Sequence, residues 1–211
     1  MRRVIISAAD FLAIELPHAT VIKLTPSFVE SAGVPDLRRL SQVATFYRLT
    51  LETPKDFELV EEAFLVWYTI NEQAESAWNK EGCNSYTVAR YVDDMIRNRS
   101  VLESNKEHGE RIKRIEALTE SLKRGLMDDV VIVSALDSGL GRRLIVDGCK
   151  RSVSLAMLAR QNEEGFSQLL RSRFAVTIVE VESALAHCLY PADFLAVSAS
   201  SDNAPRSLSA E

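Results

Sequence analysis

Apolar residues along the chain fall into two periods, and the segments that carry them predict alternating strands and helices. Val21-Ile22-Lys23-Leu24-Thr25, stopped by Pro26, and Phe46-Tyr47-Arg48-Leu49-Thr50-Leu51 are β-branched and aromatic runs that predict strands. Pro54 and Asp56 mark a helix start. From Phe57 to about Trp78, Leu59, Ala63, Val66, Trp67 and Ile70 recur at the spacing of one helical face. Gly82-Cys83-Asn84-Ser85 is a loop, with Ser85 the expected cap of a second helix that carries Val88, Tyr91, Val92, Met95 and Ile96 on one side. A third helix sets Ile112, Ile115, Leu118 and Leu122 against Lys113, Arg114, Glu116, Glu120 and Lys123, and Gly125 stops it. Val130-Val131-Ile132-Val133 is too short for a helix and predicts a buried strand. A turn at Asp137–Gly141 joins it to Arg143-Leu144-Ile145-Val146, so the two form a hairpin. Ser152 to Arg160 predicts a helix, a short helix follows, and Phe174–Val179 is a last strong strand. Asp128 and Asp129 read as a turn.

This order predicts an α+β fold, a small mixed β-sheet with packed helices, together with an α-helical region. Residues 1–104 are expected to supply N-terminal strands and the helical region, inserted into or packed on a main domain at 105–196. Residues 197–211 hold five serines and little apolar content after Leu195, and are expected to be a disordered tail. No repeat is visible.

Composition narrows the class. With 46% apolar residues, 8 glycines and 6 prolines, the chain is neither disordered nor collagenous, and its 211 residues suffice for a core. No apolar run approaches the roughly 18–20 residues that span a bilayer, so no membrane partner is expected. The basic lead Met1-Arg2-Arg3 precedes only a short apolar stretch before Asp10, so no signal peptide is expected. A net charge of −5 disfavours general coating of nucleic acid but permits a local basic patch. Cys83, Cys149 and Cys188 are odd in number and widely spaced, which points away from a disulfide framework and towards a reducing cytoplasm. His18, His108 and His187 lack metal-ligand spacing, so no protein metal site is expected.

The chemistry concentrates in Leu144-Ile145-Val146-Asp147-Gly148-Cys149-Lys150-Arg151-Ser152, a strand, a glycine turn and a helix start. The first backbone N–H groups of a helix are unpaired and the dipole adds partial positive charge, so an anion fits there. Lys150 and Arg151 oppose that dipole, which a bound polyphosphate explains; a surface Lys-Arg after an ordinary Asp-Gly turn is the plainer account. Gly148 lets the backbone approach a ligand. Asp147 can cap the helix, pair with Arg151, or position a metal or ribose hydroxyl. Cys149 is either a thiolate activated by the helix start or a small residue that fits the turn. Glu107 and Glu110 are candidate general bases or metal ligands near the phosphates, or acids that favour a helix N-terminus by charge alone.

From Ile115 through Gly125, Val130–Val133 and Leu144–Arg151 to Val176–Val179, the chain resembles the ParB/sulfiredoxin-like superfamily, over about residues 105–182. That family runs from a helix ended by Gly through a hairpin to a D-G-x-x-R or G-E-R-R type box that opens a helix. The resemblance implies a nucleotide at the box, ATP or CTP with Mg²⁺, held by Asp147, Gly148, Cys149, Lys150, Arg151 and Ser152. Sulfiredoxins carry G-C-H-R with a catalytic Cys, against Gly148-Cys149-Lys150-Arg151 here. The family's free serine kinases carry D-G-H-H-R, against which Asp147, Gly148 and Arg151 match, and a His-Glu pair to which Glu107-His108-Gly109-Glu110 is the nearest counterpart. ParB proteins bind CTP and add a helix-turn-helix domain, which is not expected after residue 182 here. The implied activity is nucleotide binding with hydrolysis or phosphotransfer, with Glu107, Glu110 and Cys149 as candidate catalytic residues.

A second reading is a DNA-associated regulatory module without catalysis. Ala77-Trp78, Gly82 and Ser85–Val92 resemble a helix-turn-helix carrying Arg90, with Arg97 and Arg99 on phosphates, although Glu72, Glu75, Glu81, Asp93 and Asp94 would repel DNA. The aromatic residues Phe57, Phe64, Trp67, Tyr68 and Trp78 read as core or as a surface for a protein partner.

Overall fold

In the computed structural model, residues 1–15, 44–66, 86–127, 129–139, 141–172, 175–184 and 186 are described. The elements are β1 (Arg2–Ile6), α1 (Ala8–Glu15), β2 (Thr45–Leu51), α2 (Pro54–Ala63), α3 (Val88–Arg97), α4 (Arg99–Ser104), α5 (Lys106–Lys123), β3 (Asp129–Asp137), β4 (Arg142–Asp147), α6 (Cys149–Gln161), α7 (Glu163–Ser172) and β5 (Ala175–Ser183). The strands form one sheet in the order β1-β2-β5-β3-β4, with β3 and β5 parallel and every other pair antiparallel. The fold is α+β with a mixed sheet. Strands from both sides of residue 104 share that sheet, because β2 pairs with β5 along its whole length. The expected strand at Val21–Thr25, the Gly82–Ser85 loop and the tail at 197–211 lie outside the described residues.

The centre of the sheet is covered on both faces. Val176 to Val181 of β5 are all buried, so its alternate side chains meet cover on either side. Residues in register share a face. Leu49, Ile132 and Ile178 therefore lie together on one face, and Phe46 and Val181 on the other. Phe11 of α1 stacks on Phe46, ring centroids 4.9 Å apart.

The helix expected from Phe57 to Trp78 ends instead at Ala63. Its buried face is Asp56, Phe57 and Val60, while Leu59 is 53% exposed, so the apolar stripe is rotated from the one the spacing suggests. The start is fixed locally. Thr53 Oγ1 accepts from Asp56 N–H at 3.3 Å, and Asp56 Oδ2 accepts from the N–H groups of Glu52 and Thr53 at 3.0 Å, a reciprocal capping box. Phe64, Leu65 and Val66 are buried in succession, which one helical face does not allow; they run extended, and Leu65 bridges Leu144 of β4 and Thr87. Thr87, not Ser85, caps α3, and Ile96 is 58% exposed rather than on the buried side. In α5, Thr119 rather than Leu118 completes the buried row, its hydroxyl satisfied by Ile115 O at 2.9 Å. Asp129 begins β3 rather than forming a turn.

Asp56 also receives the Met1 ammonium. Burial pushes its carboxyl up, but that ammonium and the two backbone donors outweigh it and hold the pKa below the ordinary carboxylate range. A carboxyl depressed by folding stabilises fully above its unfolded pKa, and the contribution is lost as pH falls through the folded value. Acid titration of the thermal midpoint is therefore expected to show a smaller drop below the ordinary carboxylate range in Asp56→Asn than in wild type. Parallel curves would contradict the assignment.

Candidate functional site

The strand-to-helix junction forms as the sequence suggests, and the backbone explains its glycine. Register along the hairpin shifts between Val133 and Ser134, so β4 carries one extra residue just before it ends. Gly148 then takes φ 93° and ψ 14°, a left-handed conformation, as the N-cap of α6. A Cβ there would stand 3.2 Å from Ile132 Cα and from Val131 O, so the turn passes directly against the β3 backbone. No side chain among the described residues caps α6. The helix begins on a bare backbone turn rather than on Ser, Thr or Asp.

The candidate phosphate ligands divide by direction. Gly148, Lys150 and Arg151 stand at the helix mouth. Lys150 is partly exposed and has no ion pair among the described residues. Arg151 Nη2 donates to Asp147 Oδ2 at 2.5 Å, so the pairing with Arg151, one of the roles open to Asp147, is made. Ser152 is turned inward: its N–H and its hydroxyl both donate to Gly148 O, at 2.8 and 3.1 Å, and it is fully buried. Cys149 is 5% exposed, and its thiol donates to Ile145 O at 3.6 Å. A buried thiol facing a carbonyl in the core is poorly placed as a nucleophile. Iodoacetamide at neutral pH is expected to modify Cys149 far more slowly in native protein than in urea, as read by peptide mass spectrometry; equal rates would reinstate an exposed catalytic thiol.

Helix α5 runs beside α6, joined where Ser154 Oγ donates to Ile115 O at 3.0 Å. Asn105 Oδ1 caps α5, accepting from Glu107 N–H at 3.0 Å and His108 N–H at 3.2 Å. Glu107 is exposed and bonds Arg111 at 3.2 Å; Glu110 is also exposed. Tyr91 of α3 is fully buried, and its hydroxyl lies within electrostatic reach of Arg111 on α5 and Cys149 on α6. Burial pushes that hydroxyl's pKa up, the Arg111 guanidinium pulls it down and Cys149 adds to the rise. Sequence reading places Tyr91 only in a helix core and passes over Arg111. The period-3.6 position of Tyr91 is a signal for burial, and nothing local ties it to Cys149.

No protein-family model, curated protein or solved structure matches the chain. The site is therefore read from its own chemistry.

Among the described residues no group of three His, Cys, Asp or Glu could hold a metal ion, and no helix is long and apolar enough to cross a membrane. Of the residues considered for DNA contact, Arg99 is held by Glu103 at 3.5 Å and Glu116 at 2.7 Å, and Arg90 lies 5.6 Å from the Tyr86 ring. Ala77, Trp78, Cys83, His187 and Cys188 lie outside the described residues.

Proposed function

We propose that this chain binds a nucleoside triphosphate, ATP or CTP with Mg²⁺, at the start of α6. The carrying observation is the Gly148 turn: a left-handed residue where a Cβ would crowd the β3 backbone, leading into a helix whose mouth holds Lys150 and Arg151. Phosphate oxygens accept from the first-turn N–H groups, and the two cations neutralise the charge that the dipole alone would meet only in part. The order of α5, β3, β4, α6 and β5, with Gly125 after α5, supports kinship with the ParB/sulfiredoxin-like superfamily. Mg²⁺ arrives with the nucleotide and is held by its phosphates.

Two observations favour binding over turnover. The Cys149 thiol is buried, and Glu107 is engaged by Arg111. Hydrolysis or phosphotransfer through Glu107 or Glu110 requires either carboxylate to reach the nucleotide. A regulatory module, with a DNA or protein partner on residues 57–100, follows if binding occurs without turnover.

Thermal shift tests the reading, since a ligand that prefers the native state raises Tm. ATP or CTP with Mg²⁺ is expected to raise the midpoint of wild type and to leave Lys150→Ala/Arg151→Ala unmoved while it remains folded. An equal rise in that variant refutes the site.

A further inference from the structure

Arg160 stands in the last turn of α6 and meets two other helices there. Its Nη1 donates to Asp93 Oδ1 on α3 at 2.5 Å and its Nη2 to Ala89 O at 3.4 Å, while its Nε lies 3.4 Å from Glu61 Oε1 on α2. One guanidinium therefore faces two carboxylates from different helices, and they are unequally placed. The Asp93 side chain is 45% exposed, so water solvates what the guanidinium does not. The Glu61 side chain is 13% exposed, and its Oε1 is buried with no hydrogen bond. We propose that this junction is a proton-operated tie: as pH falls, Glu61 takes up a proton from solvent and the guanidinium is left to Asp93.

Burying an ionised carboxylate is costly unless hydrogen bonds and a counter-charge compensate, and a group short of them neutralises instead. Glu61 has only a shared counter-charge. Among the described residues the charged groups that face it are Arg160 on α6, Asp93 on α3 and Glu58 on its own helix. Burial pushes the Glu61 carboxyl up from the ordinary glutamate value, Arg160 pulls it down, and Glu58 and Asp93 add to the rise; the net direction is up. A carboxyl raised by folding binds its proton more tightly in the native state. The ionised form therefore costs stability at neutral pH. That cost fades as pH falls through the folded value and is gone below the unfolded one. Mild acid thus tightens α2 against α3 and α6, opposite in sign to Asp56, whose contribution acid removes.

The test is titration of the Glu61 side-chain carboxyl carbon by ¹³C NMR in the full chain. A midpoint above that of an ordinary glutamate is expected. Asp93→Asn gives Glu61 sole use of the guanidinium and is expected to lower the midpoint; Asp93→Ser makes the same comparison should Asp93→Asn fail to fold. In urea unfolding, Glu61→Gln is expected to be more stable than wild type at neutral pH, with the difference shrinking as the pH is lowered. A wild-type midpoint at or below the ordinary value, which needs no variant to fold, overturns the proposal. So does a raised midpoint that both folded Asp93 variants leave unmoved, since the two carboxylates would then not share the cation. Lower stability of Glu61→Gln at neutral pH overturns it as well.

Discussion

Replacing Arg143 with alanine is expected to destabilise the fold by about 3 kcal/mol, the lower end of the cost of breaking a buried ion pair, because Arg3 and Ser134 stay on the carboxylate. Glu180, in the central strand β5, has no solvent exposure. Arg143 reaches it from β4 across β3, with Nε on Oε2 and Nη2 on Oε1 at 3.3 Å. Arg3 reaches it from β1 across β2 at 3.3 Å, and Ser134 donates to Oε2 at 3.3 Å. The register explains the convergence: Tyr47, Glu180 and Ser134 are opposite one another on adjacent strands, so their side chains share a face. Both guanidinium groups also sit on aromatic rings, Arg3 3.5 Å from Tyr47 and Arg143 4.9 Å from Phe64. Arg143→Ala removes the closer, less exposed partner and leaves Glu180 to Arg3, whose side chain is 40% exposed. Urea unfolding should show a lower midpoint at unchanged slope. Arg143→Met combined with Glu180→Leu is expected to recover much of the loss, because an apolar pair carries no desolvation cost. A loss in Arg143→Ala below about 1 kcal/mol, the range of exposed pairs, would show that Glu180 is not paired in a dry interior.

Gly148→Ala is expected to cost about 2–5 kcal/mol, from about 1–2 for a left-handed residue with a Cβ and about 1–3 for overpacking against β3. Gly141 provides the control. It too has positive φ, 65°, but a Cβ there meets nothing within 4 Å, so Gly141→Ala tests conformation without crowding. The excess of Gly148→Ala over Gly141→Ala in chemical unfolding measures how tightly the α6 turn lies on Val131 and Ile132. Equal losses would mean that the turn has room to relax, and close backbone approach would no longer explain the glycine.

The elements legible in the sequence are those whose pattern is set locally. The row Ile112, Ile115, Leu122 marks α5, and the turn residues between two β-branched runs mark the β3–β4 hairpin. The phase of α2 is not legible, because Leu59, Ala63 and Val66 fit a helical period as well as Phe57 and Val60 do, and only packing against the rest of the fold chooses between them. Edge strand β1 escapes notice for a related reason: Arg2 to Val4 are all exposed, so no alternation marks it. In the site, the Asp147–Arg151 pair is among the sequence readings because i,i+4 spacing brings side chains together at a helix start. The burial of Cys149, and the electrostatic environment it shares with Tyr91, depend on how α3 and α5 pack on α6, which no local spacing records. Arg143 and Glu180 are likewise 37 residues apart and meet only through strand order.

The measurement that bears most directly on the anion-binding turn is a backbone amide ¹H–¹⁵N titration of the full chain with ATP or CTP and Mg²⁺. The largest shifts are expected at Gly148 to Arg151, with Lys150→Ala/Arg151→Ala abolishing them. Saturable shifts centred elsewhere in the fold, or none at millimolar nucleotide, would contradict the assignment of that helix start as the phosphate site.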